Sequence, residues 1–244
     1  MPEESREEGL AAAFVDLADT LVSDFDVEQH AHRLARHCSR LVDVTAAGVV
    51  LAAADGAALT ASASDERTHA LELAGVEWGE GPAVDCWRTA RPLPATPLTH
   101  TRARAGWPRF TGRALDLGFH LVAAAPLRAR GTAVGALTFF RDRPGTLHDA
   151  QLRLGQALAD VATIGILQRR AVAEQAAVAA QLQNALNSRV VIEQAKGALS
   201  QRRSIAVDEA FRVLRGHARS TRRPLTDVAR EVVEDGLDPA AQDG

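Results

Sequence analysis

The chain has 244 residues, a formal net charge of −3, 46% apolar residues and 24% charged residues. These fractions are typical of folded globular proteins and exclude disorder over the whole length. At roughly 100–200 residues per domain, the length allows one large domain or two modest ones. A net charge this close to zero argues at first against a nucleic-acid partner, which usually leaves a basic signature.

Cysteine usage and the N-terminus indicate a cellular compartment. The two cysteines, Cys38 and Cys86, belong to no CxxC pair and do not make a disulfide framework. The first eight residues are acidic and lack the basic start and apolar run of a signal peptide. No apolar stretch reaches the ~20 residues of a membrane helix. We therefore expect a soluble protein of the reducing cytoplasm that does not bind membranes.

Residues 9–145 are predicted to form an α+β domain. Helical spacing of Leu10, Phe14, Leu17 and Leu21 predicts a first helix over 9–23, and Asp26 is a candidate cap for a second. Two predicted hairpins follow, with strands at 46–53, 57–62, 121–127 and 133–140 and turns at Asp55-Gly56 and 129–131. The stretch between them, 75–112, is irregular with short helical pieces at 84–89 and 108–117. An antiparallel sheet packed by helices fits this pattern.

From Leu147 onward the chain is predicted to be helical. One long helix, or two in close succession, runs without Gly-Pro punctuation and is rich in alanine, which favours helix but buries little area. Such a thin helix needs a partner, and a coiled-coil dimer is expected, although Gln175 and Arg189 interrupt the heptad. Two further helices are predicted, over 207–220 and from Pro224, before a polar tail.

Positive charge is concentrated near the C-terminus. Ser188–Arg230 contains ten basic and four acidic residues, a net charge of +6, so the remainder carries −9. A basic face on an apolar helical core is typical of binding to a phosphate backbone. A solvated helical bundle with scattered surface arginines remains the alternative at this point.

Three blocks in the basic region resemble the three helices of the ANTAR domain: 187–199, 208–218 and 225–233. The resemblance implies an all-α, three-helix RNA-binding module. Such modules regulate transcription antitermination by binding paired stem-loops in nascent RNA, typically as dimers. The resemblance therefore implies that the partner is RNA with stem-loops and that the protein is a homodimer.

The upstream part resembles a GAF domain of the kind that precedes ANTAR domains in actinobacteria. The matching stretches are Gly79–Pro82, Arg91-Pro92, Trp107–Phe110, Pro126-Leu127 and 131–140. Together the two resemblances predict five segments: an acidic tail at 1–8, a GAF-like sensor at 9–168, a helical coiled-coil linker at 169–180, the ANTAR domain at 181–236 and a polar tail at 237–244. A small molecule or a signalling protein is the partner expected at the sensor.

Three positions depart from the family patterns. Ala83 stands where a cysteine often follows Gly-Pro, so thiol chemistry or a cysteine-linked chromophore is unsupported there. Ala206 precedes Glu209 where Ser or Thr usually caps the second ANTAR helix, so half of the capping box is missing and a frayed start is expected. Arg222 stands where the family often has Asn.

The candidate RNA-binding residues are basic or polar members of the matched blocks and their surroundings. Phe211 is predicted to be core rather than a base-stacking platform, and Gly197 is predicted to allow close approach of another helix, with the RNA backbone as the alternative. Unpaired loop bases and phosphates are the groups that arginine and amide side chains would contact. The candidates are Arg189, Gln194, Lys196, Arg203, Arg212, Arg215 and Arg219. Arg189, Lys196 and Arg215 rank highest, because they lie inside the matched blocks.

Other functions receive little support from the motifs. Trp78, Cys86, Trp87 and Trp107 are candidates for lining a ligand pocket in the sensor, with ordinary packing as the alternative. No metal-ligand spacing, P-loop, HExxH or GxSxG occurs, so neither a metal, a cofactor nor catalysis is expected. Two other functions stay open: a DNA-binding regulator that uses the terminal helices as a helix-turn-helix, and a sensor that acts through protein contacts alone.

Overall fold

Apolar runs of the first 145 residues form the strands of one antiparallel sheet. Its strands are β1 (Ala46–Ala52), β2 (Leu59–Ala63), β3 (Leu93–Pro97), β4 (Leu121–Ala129) and β5 (Thr132–Arg141). They lie in the order β2-β1-β5-β4-β3, so both predicted hairpins form and β5 lies at the centre. The predicted α+β class, with a helix-flanked sheet followed by a long helix and shorter ones, is confirmed.

The computed structural model describes residues 3–19, 26–53, 56, 59–129, 131–143 and 145–239. The predicted positions Leu21 and Asp55, and residues 57–58, 130 and 240–244, lie outside these described residues. The chain divides into two units, Met1–Val172 and Ala173–Gly244.

Nine helices are described. They are α1 (Glu3–Ala18), α2 (Val27–Leu41), α3 (Glu66–Trp78), α4 (Pro82–Thr89), α5 (Thr101–Gly106), α6 (Pro108–Asp116), α7 (Asp149–Arg203), α8 (Val207–Ser220) and α9 (Leu225–Glu234). The long helical region is therefore one helix of 55 residues. Residues 3–8, predicted to be a tail, belong to α1, which ends at Ala18, and residues 20–23 of the predicted helix lie outside the described residues.

Helices cover both faces of the sheet, which explains why β1 is apolar at every position. Side chains of a strand alternate between faces. Val49 packs with α1, α2 and α7, whereas Val50 packs with α4 on the opposite face. A strand buried on both faces reads as a continuous apolar run rather than as an alternating one.

The N-terminal part of α7 packs closely against one face of the sheet. A Cβ atom at Gly155 would lie 2.3 Å from the Phe139 ring of β5, so no larger residue fits at this position. Leu158 and Ile166, farther along the helix, are fully buried in the same cluster. The start of α7 is therefore an integral part of the sensor core.

A carboxyl group is buried against the opposite face. Glu72 of α3 is 1% exposed, and a Cβ atom at Gly48 would lie 2.6 Å from its Oε1. Thr138, the cross-strand partner of Gly48, provides the neighbouring hydroxyl. Burial raises the pKa of Glu72 to about 7, and the neighbouring Thr138 hydroxyl only partly opposes this shift.

Three elements were absent from the prediction. The buried face of α3 includes Thr68, Glu72 and Gly75, so this helix lacks an apolar stripe. β3 contains two prolines, which an edge strand tolerates because its outer N–H groups need no partner. α5 has only six residues, too few to show a period.

The second unit has a small core of its own. Ala195 and Leu199 of α7 pack with Leu214 of α8 and with Val228 and Val232 of α9. The prediction that residues 237–244 form a polar tail is wrong for residues 237–239. Leu237 packs against this core, Pro239 is buried, and the Asp238 carboxylate accepts hydrogen bonds from Arg203 at 2.9–3.2 Å.

We predict that Glu72 makes the sensor domain less stable as pH rises from about 4.5 to about 7. The protonated side chain favours the folded state, because its folded pKa lies above the unfolded value. Glu72→Gln should abolish this decline and stabilise the domain at pH 8 by up to about 3 kcal/mol. Urea unfolding followed by tryptophan fluorescence reports this domain alone, because all three tryptophans lie in it.

Glu77→Gln, an exposed substitution on the same helix, is the control. It should leave the pH dependence unchanged. Equal pH profiles for the wild type and Glu72→Gln would contradict the assignment.

Candidate nucleic-acid interface

Helix α8 presents a row of arginines to solvent. Arg212, Arg215 and Arg219 are spaced by three and four residues, which brings them to one side of the helix, and all three are exposed. The buried side of α8, which includes Ala210 and Leu214, faces the core. Because the apolar side of α8 faces the core, the arginines on its other side face solvent.

Phe211 lies between two cations. The Lys196 Nζ atom is 5.3 Å from the ring centroid, and the Arg215 Cζ atom is 5.6 Å from it. The ring is half-buried and lies outside the core cluster, so the prediction of a core phenylalanine is wrong. An aromatic face held against two cations fixes both side chains, since the ring quadrupole attracts positive charge.

The structure therefore brings together two of the three residues that the sequence ranks highest. Lys196 also donates to both carboxylate oxygens of Glu193 at 2.9 Å, and its side chain is only 16% exposed. Arg215 has no ion pair within the described residues. The third residue, Arg189, is exposed nearly two helical turns before Lys196, and Gln194 is exposed between them.

Several other basic groups already have partners within the unit. Arg203 pairs with Asp238, Arg212 pairs with Glu209, and Arg223 pairs with Glu231. Among the described residues, Arg189, Arg215, Arg219 and Arg222 form no ion pair. Since an ion-paired guanidinium must give up its partner to bind phosphate, these unpaired arginines are the more available cations.

Two glycines expose bare backbone beside the cation pair. Gly197 follows Lys196, and Gly216 follows Arg215; both are exposed, and a Cβ atom at either would meet nothing within 4 Å. Among the described residues no helix packs closely against Gly197, so the prediction of such a contact is wrong for this part of the chain. A glycine inside a helix lowers the stability of the folded state by about 1 kcal/mol relative to alanine. Among the described residues, no contact at Gly197 or Gly216 offsets this loss.

Both departures from the ANTAR pattern lie at helix termini, where the structure shows their consequences. Ala206 is the N-cap of α8 and provides no side-chain hydrogen bond to it, so the missing half of the capping box is not replaced by another side chain. Arg222 has a φ of 54°, in the left-handed region, which asparagine adopts more readily than arginine. The arginine therefore carries a backbone strain that the more common residue relieves.

In the sensor domain, the four candidate pocket residues divide between two core clusters. Trp107 is buried in a cluster with Phe110, and its Nε1 donates to Asp85 at 2.8 Å. Trp78 lies at the edge of that cluster, whereas Cys86 and Trp87 pack in a different one. Burial raises the pKa of Cys86 to about 12, which keeps it a neutral thiol.

The Gly-Glu-Gly-Pro motif has a structural role. Glu80 Oε2 accepts hydrogen bonds from the backbone N–H groups of Arg109 and Phe110, at 2.9 and 3.2 Å. These N–H groups lie in the first turn of α6 and have no partner within the helix. A carboxylate at this position also interacts favourably with the positive end of the helix dipole. The motif thus ties the loop before α4 to the start of α6.

Sequence reasoning missed the grooves that the described part of the sensor does contain. One, of about 380 Å³, lies between β3, β4 and the start of α7 and includes Leu93, Arg128, Phe139 and Gln156. Its residues come from four distant segments, so no local motif marks it. Within the described residues, no set of His, Cys, Asp or Glu is arranged to hold a metal, and no helix has the length and hydropathy to cross a membrane.

The chain thus carries an α+β domain followed by a basic three-helix unit. Family models match both parts in this order: a GAF domain over residues 26–167 and an ANTAR domain over residues 180–233. The chain belongs to the GAF domain family and carries an ANTAR domain after the GAF domain. It therefore joins a sensing domain to an RNA-binding domain of antitermination regulators.

Solved structures share the fold of the first domain. The GAF domain of a phosphoenolpyruvate-protein phosphotransferase from Coxiella burnetii aligns at 12% identity with a TM-score of 0.52, covering 71% of this chain and 99% of that one. The corresponding Acinetobacter domain aligns at 10% identity with a TM-score of 0.50, covering 70% and 98%. Comparison with curated protein sequences finds no significant match. At these identities the likeness concerns the fold alone.

We predict that Arg222→Gly stabilises the second unit by about 1 kcal/mol, because glycine adopts the left-handed conformation without strain. Slower amide hydrogen exchange in peptides of α8 and α9 measures this effect. Arg219→Gly removes the same charge from a helical position and should speed exchange instead. Faster exchange in Arg222→Gly would refute the strain at this residue.

Proposed function

We propose that this protein is a dimeric, cytoplasmic antitermination regulator of the actinobacterial type. In this proposal, it binds paired stem-loops in nascent mRNA and its GAF domain modulates that binding. The observation that carries the proposal is the cation pair of Lys196 and Arg215 on Phe211, inside the segment that matches the ANTAR model. Its function is regulatory, without a catalytic step.

The chemistry of this surface suits RNA loops. Guanidinium groups bind phosphate through paired hydrogen bonds and stack on exposed bases. Arg215 is held by the ring yet keeps its donors free of carboxylates within the described residues. Arg189 and Arg219 extend the positive surface along α7 and α8, and the bare backbone at Gly197 and Gly216 allows a sugar-phosphate chain to approach closely.

An uncovered apolar stripe on α7 supports the dimer. Leu182, Leu186 and Val190 are 61%, 60% and 54% exposed and are spaced by four residues on one side of the helix. Val172 and Val178 precede them and are also more than half exposed. A second copy of the same stripe would bury these side chains in a helix pair, and a dimer would present two RNA-binding units to two stem-loops.

The shared helix supports a link between sensing and binding. Leu158 and Ile166 belong to the sensor core, whereas Ala195 and Leu199 of the same helix belong to the core of the RNA-binding unit. We propose that a signal at the sensor changes the pairing of α7 in the dimer. Such coupling requires the signal to favour one of two dimer arrangements.

RNA with two short-loop hairpins should bind tightly in a gel-shift assay, with an affinity that falls steeply as salt increases. Arg215→Ala should weaken this binding roughly tenfold or more, since it removes a contact to a charged group. Arg230→Ala, an exposed charge on α9, should have a much smaller effect. Binding to duplex DNA but not to the hairpins would contradict the proposal and favour a helix-turn-helix function.

We expect Leu182→Glu combined with Leu186→Glu to dissociate the dimer, because four like charges would meet in its seam. Light scattering coupled to size-exclusion chromatography measures the mass, and the control is Ala180→Glu with Asn184→Glu. This pair adds the same charge on the other side of α7 and should leave the dimer intact. A wild-type mass of 26.0 kDa would reject the dimer outright.

A further inference from the structure

A second charged surface lies in the sensor domain, between α1 and α2. Five side chains line a pocket of about 250 Å³ there: Asp16 of α1, and Arg33, Arg36, His37 and Arg40 of α2. Arg36 and His37 are adjacent, and each lies three or four positions from Arg33 and from Arg40, so the four α2 residues share one side of that helix. The other side of α2, with Leu34 and Cys38, is buried in the sensor core.

The pocket already holds one anion, which comes from the protein itself. The Asp16 carboxylate is 2.7 Å from His37 Nε2 and 3.5 Å from Arg33 Nη1. Arg36 and Arg40 are exposed, and neither has an ion pair within the described residues. One carboxylate therefore faces three guanidinium groups, and two positive charges remain uncompensated.

This arrangement has a cost for the helix. Like charges four residues apart, such as Arg36 and Arg40, destabilise a helix. The buried side of α2 holds the helix against the core without them, so packing does not require these arginines. An anion that binds between the arginines would turn their repulsion into attraction.

The residues favour a small phosphorylated ligand over a polymer. Guanidinium groups match the oxygens of phosphate in paired hydrogen bonds. The pocket is small, with room for a phosphate group while the remainder of the ligand extends into solvent. Asp19, Asp26 and Glu28 lie at the adjoining ends of α1 and α2, so the positive surface is short and a long polyanion would meet like charges.

We propose that this pocket binds the phosphate group of a small phosphorylated molecule, with Arg36 and Arg40 as its main ligands. The inference deepens the sensory role proposed for the GAF domain and rests on it. A contact path leads from the pocket to the shared helix. Arg33 Nη2 lies 3.5 Å from His30 Nδ1, and the buried His30 lies beside the backbone of Ala162 in α7.

Isothermal titration of the full-length protein tests the site, with inorganic phosphate and ATP as probes at constant ionic strength. Saturable binding at one site per chain is expected. Arg36→Gln with Arg40→Gln should weaken it about tenfold or more. Arg102→Gln with Arg104→Gln removes the same charge from exposed positions of α5 and should leave the affinity unchanged.

Asp16→Asn should tighten phosphate binding, because it frees Arg33 and His37 from their internal partner. Tighter binding of ATP than of phosphate would identify a nucleotide as the source of the group, and equal binding would identify phosphate itself. Three results would overturn the proposal: no saturable heat up to about 10 mM of either probe, the same loss in both double variants, or a loss of hairpin RNA binding in Arg36→Gln/Arg40→Gln without any phosphate binding. The titration contains no RNA, so a negative result leaves the RNA-binding proposal standing.

Discussion

The close packing of α7 on the sheet, at Gly155 against Phe139, is the contact on which the rest of the structure depends. It makes the first part of this helix inseparable from the sensor core. The same helix ends as the first helix of the RNA-binding unit, where Ala195 and Leu199 are buried. Because an α-helix is stiff over several turns, a change in how α7 is held in one core has a continuous path to the other.

Within the described residues, nothing covers the apolar side chains of α7 between the two cores. Leu182, Leu186 and Val190 remain more than half exposed, although alanine-rich sequence around them favours helix. Burial of such a stripe is the main source of stability for a long helix in water. The dimer proposed above would bury this stripe.

Much of the fold could be predicted from sequence because it depends on local patterns. β1, β4 and β5 are apolar runs, and α8 and α9 have a clear apolar side. The α3 helix could not be predicted, since its buried side holds a carboxyl, a hydroxyl and a glycine that pack against specific positions of the sheet. Such a side is recognisable only when its partner, here Gly48, is known.

The candidate site was predictable in composition but not in arrangement. Sequence alone indicates which residues are basic, and Lys196 and Arg215 stand out because they lie in matched blocks. It cannot show that both cations share the ring of Phe211, because α7 and α8 contribute them from positions 19 residues apart. Nor can it show that Arg203 is engaged by Asp238, whose position depends on a turn after α9.

We propose that RNA binds the surface formed by the end of α7 and by α8. Amide hydrogen exchange of the full-length protein, measured with and without a two-hairpin RNA, tests it most directly. We expect slower exchange in peptides covering 189–197 and 209–219 when RNA is present. Protection confined to residues 26–167, or unchanged exchange in both of those peptides despite bound RNA, would contradict it.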